Sequence, residues 1–290
     1  MTAAGRLTLH TSDRVRLAAE HLAPADDAEP RVAVVLGHGF TLNRNRPAVR
    51  RAALAFTSVG AVVILDFRGH GGSSGHSTLG DREALDVEAA VRWARRRGYE
   101  RVVTVGFSMG GAAVIRQAGI FGDVDAVVSV SATSRWFIRE STRLKLVALA
   151  VRSRPTRLVT RLAYGTRVTG DFTDVGPEPK AVVGSIAPTP LLVIHGERDP
   201  WFGPEHARTL AQSAGPSAEV WVLPEFGHAE EALDEELTAR IVEWVRRQVR
   251  AAPRSEAERA GAQDRSPVLE DAPEVAPDPG GAPGYGTMPQ

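Results

Sequence analysis

A serine with glycine neighbours stands where the sequence changes from a strand pattern to a helix pattern. Residues 101–120 read RVVTVGFSMGGAAVIRQAGI, a β-branched apolar run followed by a helix-forming run. Gly106 to Gly110 match the G-x-S-x-G turn, which holds a strained serine above a sheet and needs small neighbours. Ser108 could instead be an ordinary helix N-cap. The strand before the turn and the helix after it favour a nucleophile.

A nucleophilic serine needs a base, and the chain contains eight histidines. His228, in LPEFGHAEE, follows the last strand pattern and precedes the last helix pattern, where such a base is expected. His195 also ends a strand, but the Gly196 after it indicates close packing. We therefore predict that His228 is the base. Five other histidines fit surface or packing positions better: His10, His21, His70, His76 and His206.

The predicted orienting acid is Asp199, in VIHGERDPWFG, at the turn after the preceding strand. An Asp-Pro pair is common in turns, so a purely structural role is the alternative. Glu197, two residues earlier, is the second candidate for the acid. The order Ser108, Asp199, His228 is one of the chain orders in which such triads occur, and it differs from the two other common ones.

A backbone oxyanion hole would complete this chemistry. The N–H of Met109, directly after the nucleophile, is one predicted donor. The loop after the third strand, LGHGF, is expected to supply the second donor, which we assign to the N–H of Phe40. His38 and Gly39 could also form nothing more than a tight turn.

Strand and helix patterns alternate along most of the chain, and they must position these residues. A hairpin pattern surrounds Ser12 and Asp13, and buried strand patterns such as RVAVVLGHGF and AVVILDF follow it. Strands that are apolar on both faces and alternate with helices indicate an α/β fold with a mostly parallel sheet covered on both sides. One helix is predicted to begin at Asp81 as its N-cap, and the last helix to cover residues 230–250.

Two segments depart from this alternation. Residues 134–186 have no buried strand pattern and contain RLKLVALAVRSRPTRLVTRLAYG, which predicts two helices broken at Pro155. Ten basic residues oppose four acidic ones between residues 134 and 180. This excess is either a solvated helix surface or a field that attracts anionic acyl substrates or an acidic membrane surface. Residues 251–290, with seven prolines and five glycines, are predicted to be a disordered tail.

The composition excludes several classes of function. The formal net charge is zero, so nothing indicates nucleic-acid binding, and neither lysine follows a glycine as a Walker A motif requires. The chain has no cysteine, which excludes disulfides, thiolate nucleophiles and cysteine zinc sites. No apolar run is long enough to predict a transmembrane segment or a signal peptide, so a cytoplasmic location is the default expectation.

Five motifs together resemble the α/β-hydrolase superfamily, in its serine-hydrolase branch. They are HGF, DFRGHGGSSG, GFSMGG, HGERD and FGH, and the resemblance covers residues 5–250 except the insertion. It implies an eight-stranded, mostly parallel sheet forming a core over residues 1–250, with a helical cap at residues 134–186. It also implies a structural loop from Asp66 to Gly71, no metal and no organic cofactor. HGF departs from the HGGG of lipase-type esterases, so the chain is more similar to small bacterial esterase and thioesterase-like members.

We therefore expect a serine hydrolase that cleaves a carboxylic ester or thioester of a small molecule through an acyl-enzyme on Ser108. Acyl transfer to another acceptor would use the same residues. A non-catalytic binding protein of the same fold is the alternative from a different class. Non-catalytic members usually lose a triad residue, so the presence of all three favours the enzyme.

Overall fold

The computed structural model describes residues 5–136, 145, 151 and 153–250. The predicted C-terminal tail lies outside these residues. So does the first predicted helix of the insertion, apart from Lys145 and Val151. The boundaries of a separate cap and of the tail therefore stay predictions.

Eight strands form one sheet in the spatial order β1-β2-β4-β3-β5-β6-β7-β8. β1 pairs with β2, and β2 with β4, in antiparallel fashion, whereas all other neighbours are parallel. This confirms the N-terminal hairpin and the mostly parallel eight-stranded sheet. The strands are β1 Gly5–His10, β2 Arg16–Leu22, β3 Val32–Gly37, β4 Ala61–Leu65, β5 Arg101–Phe107, β6 Ala126–Val130, β7 Leu191–Gly196 and β8 Ala218–Leu223.

Burial on both faces explains the composition of the central strands. All residues of β3, β4 and β7 are buried, and they are mostly Val, Ile and Leu, as a strand covered on both sides requires. In the parallel register, Gly37 at the end of β3 is paired with Gly106 near the end of β5. The loops that follow these two strands therefore leave the same edge of the sheet side by side.

Helices cover both faces of the sheet. One buried apolar cluster joins one face to α2, α3 and α6, and a second joins the opposite face to α1 and α7. This confirms the predicted layered α/β fold. The helices are α1 Pro47–Phe56, α2 Glu83–Arg96, α3 Met109–Ile120, α4 Arg154–Tyr164, α5 Pro179–Val182, α6 Glu205–Ala214 and α7 Glu235–Arg250.

Two predicted helix starts are wrong. Asp81 does not cap α2; it forms an ion pair with Arg116 of α3 at 2.8 Å, and α2 begins at Glu83. The last helix begins only at Glu235, because the side chain of Asp234 accepts a bond from the N–H of Leu237 at 2.7 Å. A tertiary ion pair and a competing cap thus override the simpler local pattern.

The described part of the insertion contains α4, whose first turn includes Pro155, where the sequence predicts a break. The hydroxyl of Ser153 accepts a bond from the N–H of Thr156 at its start, and Gly165 ends the helix with φ of 68°. Thr160 is the only buried residue of α4. Three aliphatic side chains and one tyrosine of α4 are exposed by half or more: Leu158 53%, Val159 64%, Leu162 76% and Tyr164 56%.

Residues after α4 connect the insertion to the loop that follows β4. Val168 forms a β-bridge with Ser77, and the guanidinium of Arg167 donates to the carbonyls of Ser73 and Gly75. Within the described ranges, no helix has the length and apolarity needed to cross a membrane.

Candidate active site

The turn between β5 and α3 presents Ser108 at the carboxyl edge of the sheet. Its φ is 52° and its ψ is −113°, a strained conformation for a residue with a side chain. The N–H of Ser108 donates to the carbonyl of Val130 at the end of β6 (2.8 Å). The hydroxyl makes no hydrogen bond to the start of α3. The side chain of Ser108 therefore does not act as the N-cap that the alternative interpretation requires.

Glycines make this turn possible because three backbone segments meet there. A Cβ atom on Gly106 would overlap the carbonyl of Gly110, and one on Gly110 would lie 2.5 Å from the carbonyl oxygen of Gly37. No side chain fits in such gaps, so the ends of β3 and β5 and the start of α3 approach this closely only with glycine. The loop after β3 is thereby held next to the turn.

His228 and Asp199 lie beside Ser108 in hydrogen-bonding order. The Oγ of Ser108 is 2.9 Å from Nε2 of His228, and Nδ1 of His228 is 2.7 Å from Oδ2 of Asp199. Since a carboxylate only accepts, Nδ1 carries a proton, and Nε2 of the neutral ring can accept from the serine hydroxyl. Asp199 is held in turn by the N–H groups of Trp201 and Phe202, at 2.8 and 3.2 Å. The structure brings the three predicted residues into one hydrogen-bonded chain.

The two other candidates are not members of this hydrogen-bonded chain, although Nε2 of His195 lies 3.5 Å from Oδ2 of Asp199. Glu197 is exposed, and its N–H donates to the end of β8. His195 is buried beneath the site, where its Nε2 is 3.1 Å from the carbonyl of Phe202, and burial lowers its pKa. A Cβ atom on Gly196 would overlap the carbonyl of Phe226, which confirms the close packing expected there.

Two backbone N–H groups near Ser108 are candidates for binding an oxyanion. Met109 is the first residue of α3, so its N–H has no partner within the helix. In the part of the chain that the structure describes, neither Met109 nor Phe40 donates its N–H to another backbone group. The loop carrying Phe40 contacts the serine, since a Cβ atom on Gly39 would lie 3.5 Å from the Cβ of Ser108. Both predicted donors therefore lie on segments that adjoin Ser108.

His38 fixes the orientation of one of these donors. Its Nδ1 donates to the carbonyl of Gly39 at 2.8 Å, and its Nε2 accepts from the N–H of Phe67 at 3.2 Å. A ring nitrogen that accepts carries no proton, so His38 is neutral, and burial lowers its pKa to about 4. The carbonyl of Gly39 and the N–H of Phe40 share one trans peptide unit and point in opposite directions. His38 therefore turns the N–H of Phe40 away from itself.

The loop from Asp66 to Gly71 has structural contacts, as the resemblance implies. Asp66 accepts from the N–H groups of Arg44 and Gly72 at 2.7 and 2.9 Å, which ties this loop to the one after β3. Arg68 lies between two aspartates, with ion pairs of 2.7 Å to each. Among the residues with described positions, no group of three His, Asp or Glu side chains is placed to hold a metal ion.

Sequence reasoning missed two residues that hold the loop of His228. Glu230 is buried, and its Oε1 accepts from the N–H of Gly39 at 2.7 Å. The hydroxyl of Ser131, just after β6, accepts from the N–H of Ala229 at 3.0 Å. The only signal for Glu230 in the sequence is its place two residues after the predicted base. Its partner lies 191 residues away, which no local pattern reveals.

Comparison with known proteins identifies the family. A family model described as alpha/beta hydrolase fold matches residues 32–176, which is half of the 290-residue chain. This region contains the turn with Ser108 and the loop with Phe40. No curated protein sequence matches this chain.

Solved structures share the fold at low identity. An esterase from Pyrococcus furiosus is similar over 84% of this chain and 92% of its own, with a TM-score of 0.66 and 23% identity. A serine hydrolase without a lid, from Xanthomonas campestris, is similar over 87% of this chain and 98% of its own (TM-score 0.61, 21% identity). A thermophilic esterase from Thermogutta terrifontis is similar over 84% and 98% (TM-score 0.63, 19% identity). With the sheet order and the family model, this likeness shows that the chain belongs to the α/β-hydrolase family.

Proposed function

We propose that this protein is a serine hydrolase that cleaves a carboxylic ester or thioester through an acyl-enzyme on Ser108. The observation that carries the proposal is the hydrogen-bonded chain from Ser108 through His228 to Asp199, with distances of 2.9 and 2.7 Å. Nucleophile, base and orienting acid are the three parts that activation of a serine needs. A non-catalytic binding protein would have no need to keep all three in contact.

In the acylation step, Oγ of Ser108 attacks the carbonyl carbon while Nε2 of His228 takes the hydroxyl proton. The bond from Nδ1 to Asp199 keeps the ring in the tautomer whose Nε2 can accept, and the carboxylate stabilises the imidazolium that forms. The side chain of Asp199 is fully buried, so its interaction with the ring is little screened by water. The imidazolium then gives its proton to the leaving oxygen or sulfur as the tetrahedral intermediate collapses.

The N–H groups of Phe40 and Met109 would bind the oxyanion of that intermediate. Met109 lies at the start of α3 and Phe40 on the loop after β3, and among the residues that the structure describes neither N–H donates to another backbone group. The start of α3 adds the positive end of a helix dipole at the same place. Removing one such donor from a serine hydrolase costs about 10²–10³-fold in kcat, so this pair is a major part of the proposed catalysis.

Deacylation repeats the chemistry with water as the nucleophile. His228 takes a proton from the water, the hydroxide attacks the acyl carbon, and the proton returns to Oγ of Ser108 as the carboxylic acid leaves. An alcohol or amine in place of water would give acyl transfer by the same steps. The rings of Trp201 and Phe202 lie 6.1 and 5.7 Å from that of His228, which supports an apolar group on the substrate at this side.

The insertion at residues 134–186 is proposed to act as a cap beside this site. Val168 of the insertion pairs with Ser77, and the hydroxyl of Ser77 lies 3.6 Å from the sulfur of Met109. One line of contacts thus connects the insertion to the residue after the nucleophile. The excess of basic residues in the insertion is either a solvated surface or a positive field that attracts anionic substrates. Arg167 already donates to two loop carbonyls, and Lys180 lies 3.0 Å from Glu178.

A panel of p-nitrophenyl esters and thioesters with increasing acyl length tests the proposed function. We expect saturable hydrolysis of at least the short, uncharged members, with loss of nearly all activity in Ser108→Ala. Ser213→Ala, an exposed serine on α6, is the matched control. The proposal is wrong if no ester is cleaved faster than by Ser108→Ala, or if both serine variants keep the wild-type rate. Formation of the methyl ester in the presence of methanol would show that the acyl group can also pass to an alcohol.

A further inference from the structure

Glu230 is a buried carboxyl group that the steps above do not use. It lies on a 3-10 helix of one turn, Ala229–Glu231, which directly follows His228, and only 2% of its surface is exposed. Burial raises the pKa of Glu230, and the bond from the N–H of Gly39 opposes this shift only in part. A buried ionisable side chain is costly to desolvate and needs a compensating contact. The N–H of Gly39, 2.7 Å from Oε1, provides one.

The turn that carries Glu230 is held in an unusual conformation. Ala229 has φ of 50°, and its N–H donates to the hydroxyl of Ser131, which itself has φ of 52°. Positive φ values outside glycine persist only where the surroundings enforce them. Here the enforced turn directs His228 toward the serine and Glu230 toward the loop after β3.

Glu230 and His38 hold the same short segment from two sides. Glu230 accepts from the N–H of Gly39, and His38 donates to the carbonyl of Gly39. Gly39 leaves room for this, because a Cβ atom there would lie 3.2 and 3.3 Å from the two carboxyl oxygens. The N–H of Gly39 belongs to the preceding peptide unit, and its carbonyl belongs to the unit that bears the N–H of Phe40, so fixing both limits the rotation of Gly39 between the two units.

We propose that Glu230 is a positioning residue for the oxyanion hole: its Oε1 holds the N–H of Gly39 and thereby aims the N–H of Phe40 at the carbonyl oxygen of the substrate. The inference rests on the proposed serine hydrolase function. It links the loop of the base to the loop of the oxyanion donor, so that one turn carries both His228 and the support for Phe40. Glu230 acts through Gly39 and does not touch the reacting atoms.

Length and charge at position 230 can be separated by substitution. Glu230→Gln keeps the reach and an oxygen acceptor but loses the charge, whereas Glu230→Asp keeps the charge but is one methylene short. Positioning predicts that Glu230→Gln retains kcat within about threefold, while Glu230→Asp and Glu230→Ala lose about 10- to 100-fold, since small displacements at a reacting centre have effects of this size. KM should change little in all three variants. Glu231→Ala, the exposed neighbour on the same turn, is the matched control with wild-type kcat.

A transition-state analogue gives a readout that a merely structural role would not move. A trifluoromethyl ketone forms a hemiketal on the serine, whose oxyanion needs the same donors as the intermediate. Its Ki should rise in Glu230→Asp and Glu230→Ala by the factor by which kcat/KM falls, and stay near the wild-type value in Glu230→Gln.

Several results would overturn this inference while leaving the proposed function intact. One is a wild-type kcat in Glu230→Asp together with a loss of kcat in Glu230→Gln, which would indicate that the charge of Glu230 acts on His228. The others are equal losses of kcat in all three variants, and losses of kcat without any rise in the Ki of the ketone. If wild type and Ser108→Ala instead cleave esters at the same rate, the proposed function itself is wrong. Should Glu230→Ala fail to fold, the Gln and Asp variants alone decide the question.

Discussion

The carboxyl edge of the sheet and helix α4 are built in opposite ways. Seven non-glycine residues among those described have positive φ, and four of them belong to the turns that form the candidate site: Thr41, Ser108, Ser131 and Ala229. These strained turns are held by contacts between distant parts of the chain. Helix α4 has regular geometry and local caps, yet Leu158, Val159 and Leu162 face solvent.

The two regions differ in whether distant or local contacts determine their conformation. At the edge of the sheet, backbone strain is maintained by long-range hydrogen bonds, so a single lost partner should change the chemistry. In α4, the helix follows from Ser153, Pro155 and Gly165 within the same short segment, and few contacts depend on its outer face. The comparison predicts large effects on activity at the first region and small effects at the second.

Loss of the nucleophile or the base should have the largest effect. Ser108→Ala and His228→Ala are each expected to lower kcat/KM for an activated ester by at least about 10³-fold, because the members of the chain act as a unit. Steady-state kinetics with a p-nitrophenyl ester measures this directly. His10→Ala, an exposed histidine on β1, is the control for the histidine substitution. A loss of less than tenfold in either variant would contradict the proposed roles.

Loss of the orienting acid should have the next largest effect. Asp199→Asn removes the negative charge and can present its amide N–H to Nδ1, which favours the wrong tautomer of His228, so we expect a decrease in kcat of about 10²–10⁴-fold. Glu197→Gln, two residues away and exposed, should keep wild-type kcat. Similar losses in the two variants would show that the acid has been assigned to the wrong residue.

Much of this edge was predictable, because each chemical residue stands at the end of a strand with its own signal. Small residues around Ser108, the turn at Asp199 and the position of His228 after β8 are local features of the sequence. The contacts that hold these residues are not local. Ion pairing of Asp81 with Arg116 and the bond from Gly39 to Glu230 join segments 35 and 191 residues apart. Only packing of the folded chain decides such pairs.

In the insertion, the start of a helix was predictable but the surface it packs against was not. The start of α4, with Pro155 in its first turn, follows from proline geometry, since proline fits the first turn of a helix and disrupts its interior. The orientation of α4 does not follow from the sequence, because its apolar side chains predict a buried face and the structure exposes Leu158, Val159 and Leu162. An amphipathic pattern indicates that a helix has two faces, but it does not identify which surface covers the apolar one.

The stability of the folded protein should depend on pH through Glu88, a carboxyl group on α2. Gln117 of α3 donates to Glu88 at 3.0 Å, and burial raises the pKa of Glu88 to about 7. Because this folded-state pKa exceeds the unfolded value, the folded state binds the proton more tightly. The contribution to stability is therefore full at low pH and is lost as the pH rises through about 7.

Glu88→Gln should remove that part of the pH dependence. We expect the decrease in Tm between pH 5 and pH 8 to be smaller in the variant by a few degrees, as thermal melts at the two pH values would show. Its kcat/KM at pH 7 should match wild type, because Glu88 does not contact the hydrogen-bonded chain. Equal pH dependence of Tm in both proteins would contradict this account.

Changes on the outer face of α4 should have the smallest effect. Leu162→Ala is expected to leave Tm within about 1 °C and kcat/KM for a short ester within about twofold, since the side chain is 76% exposed. Leu210→Ala on α6, a fully buried leucine in a helix of similar length, should lose about 2–5 kcal/mol of stability. A large decrease in Tm for Leu162→Ala would show that α4 is covered by another surface in solution.

Covalent labelling tests the central claim, an activated nucleophile at Ser108, most directly. The protein would be incubated with a fluorophosphonate probe, and the adduct located by mass spectrometry of the intact chain and of its peptides. The account predicts one adduct per chain, on the peptide that contains Ser108, with no labelling in Ser108→Ala and labelling at least about 100-fold slower in His228→Ala. An adduct on another residue, or the same labelling rate in wild type and Ser108→Ala, would contradict it.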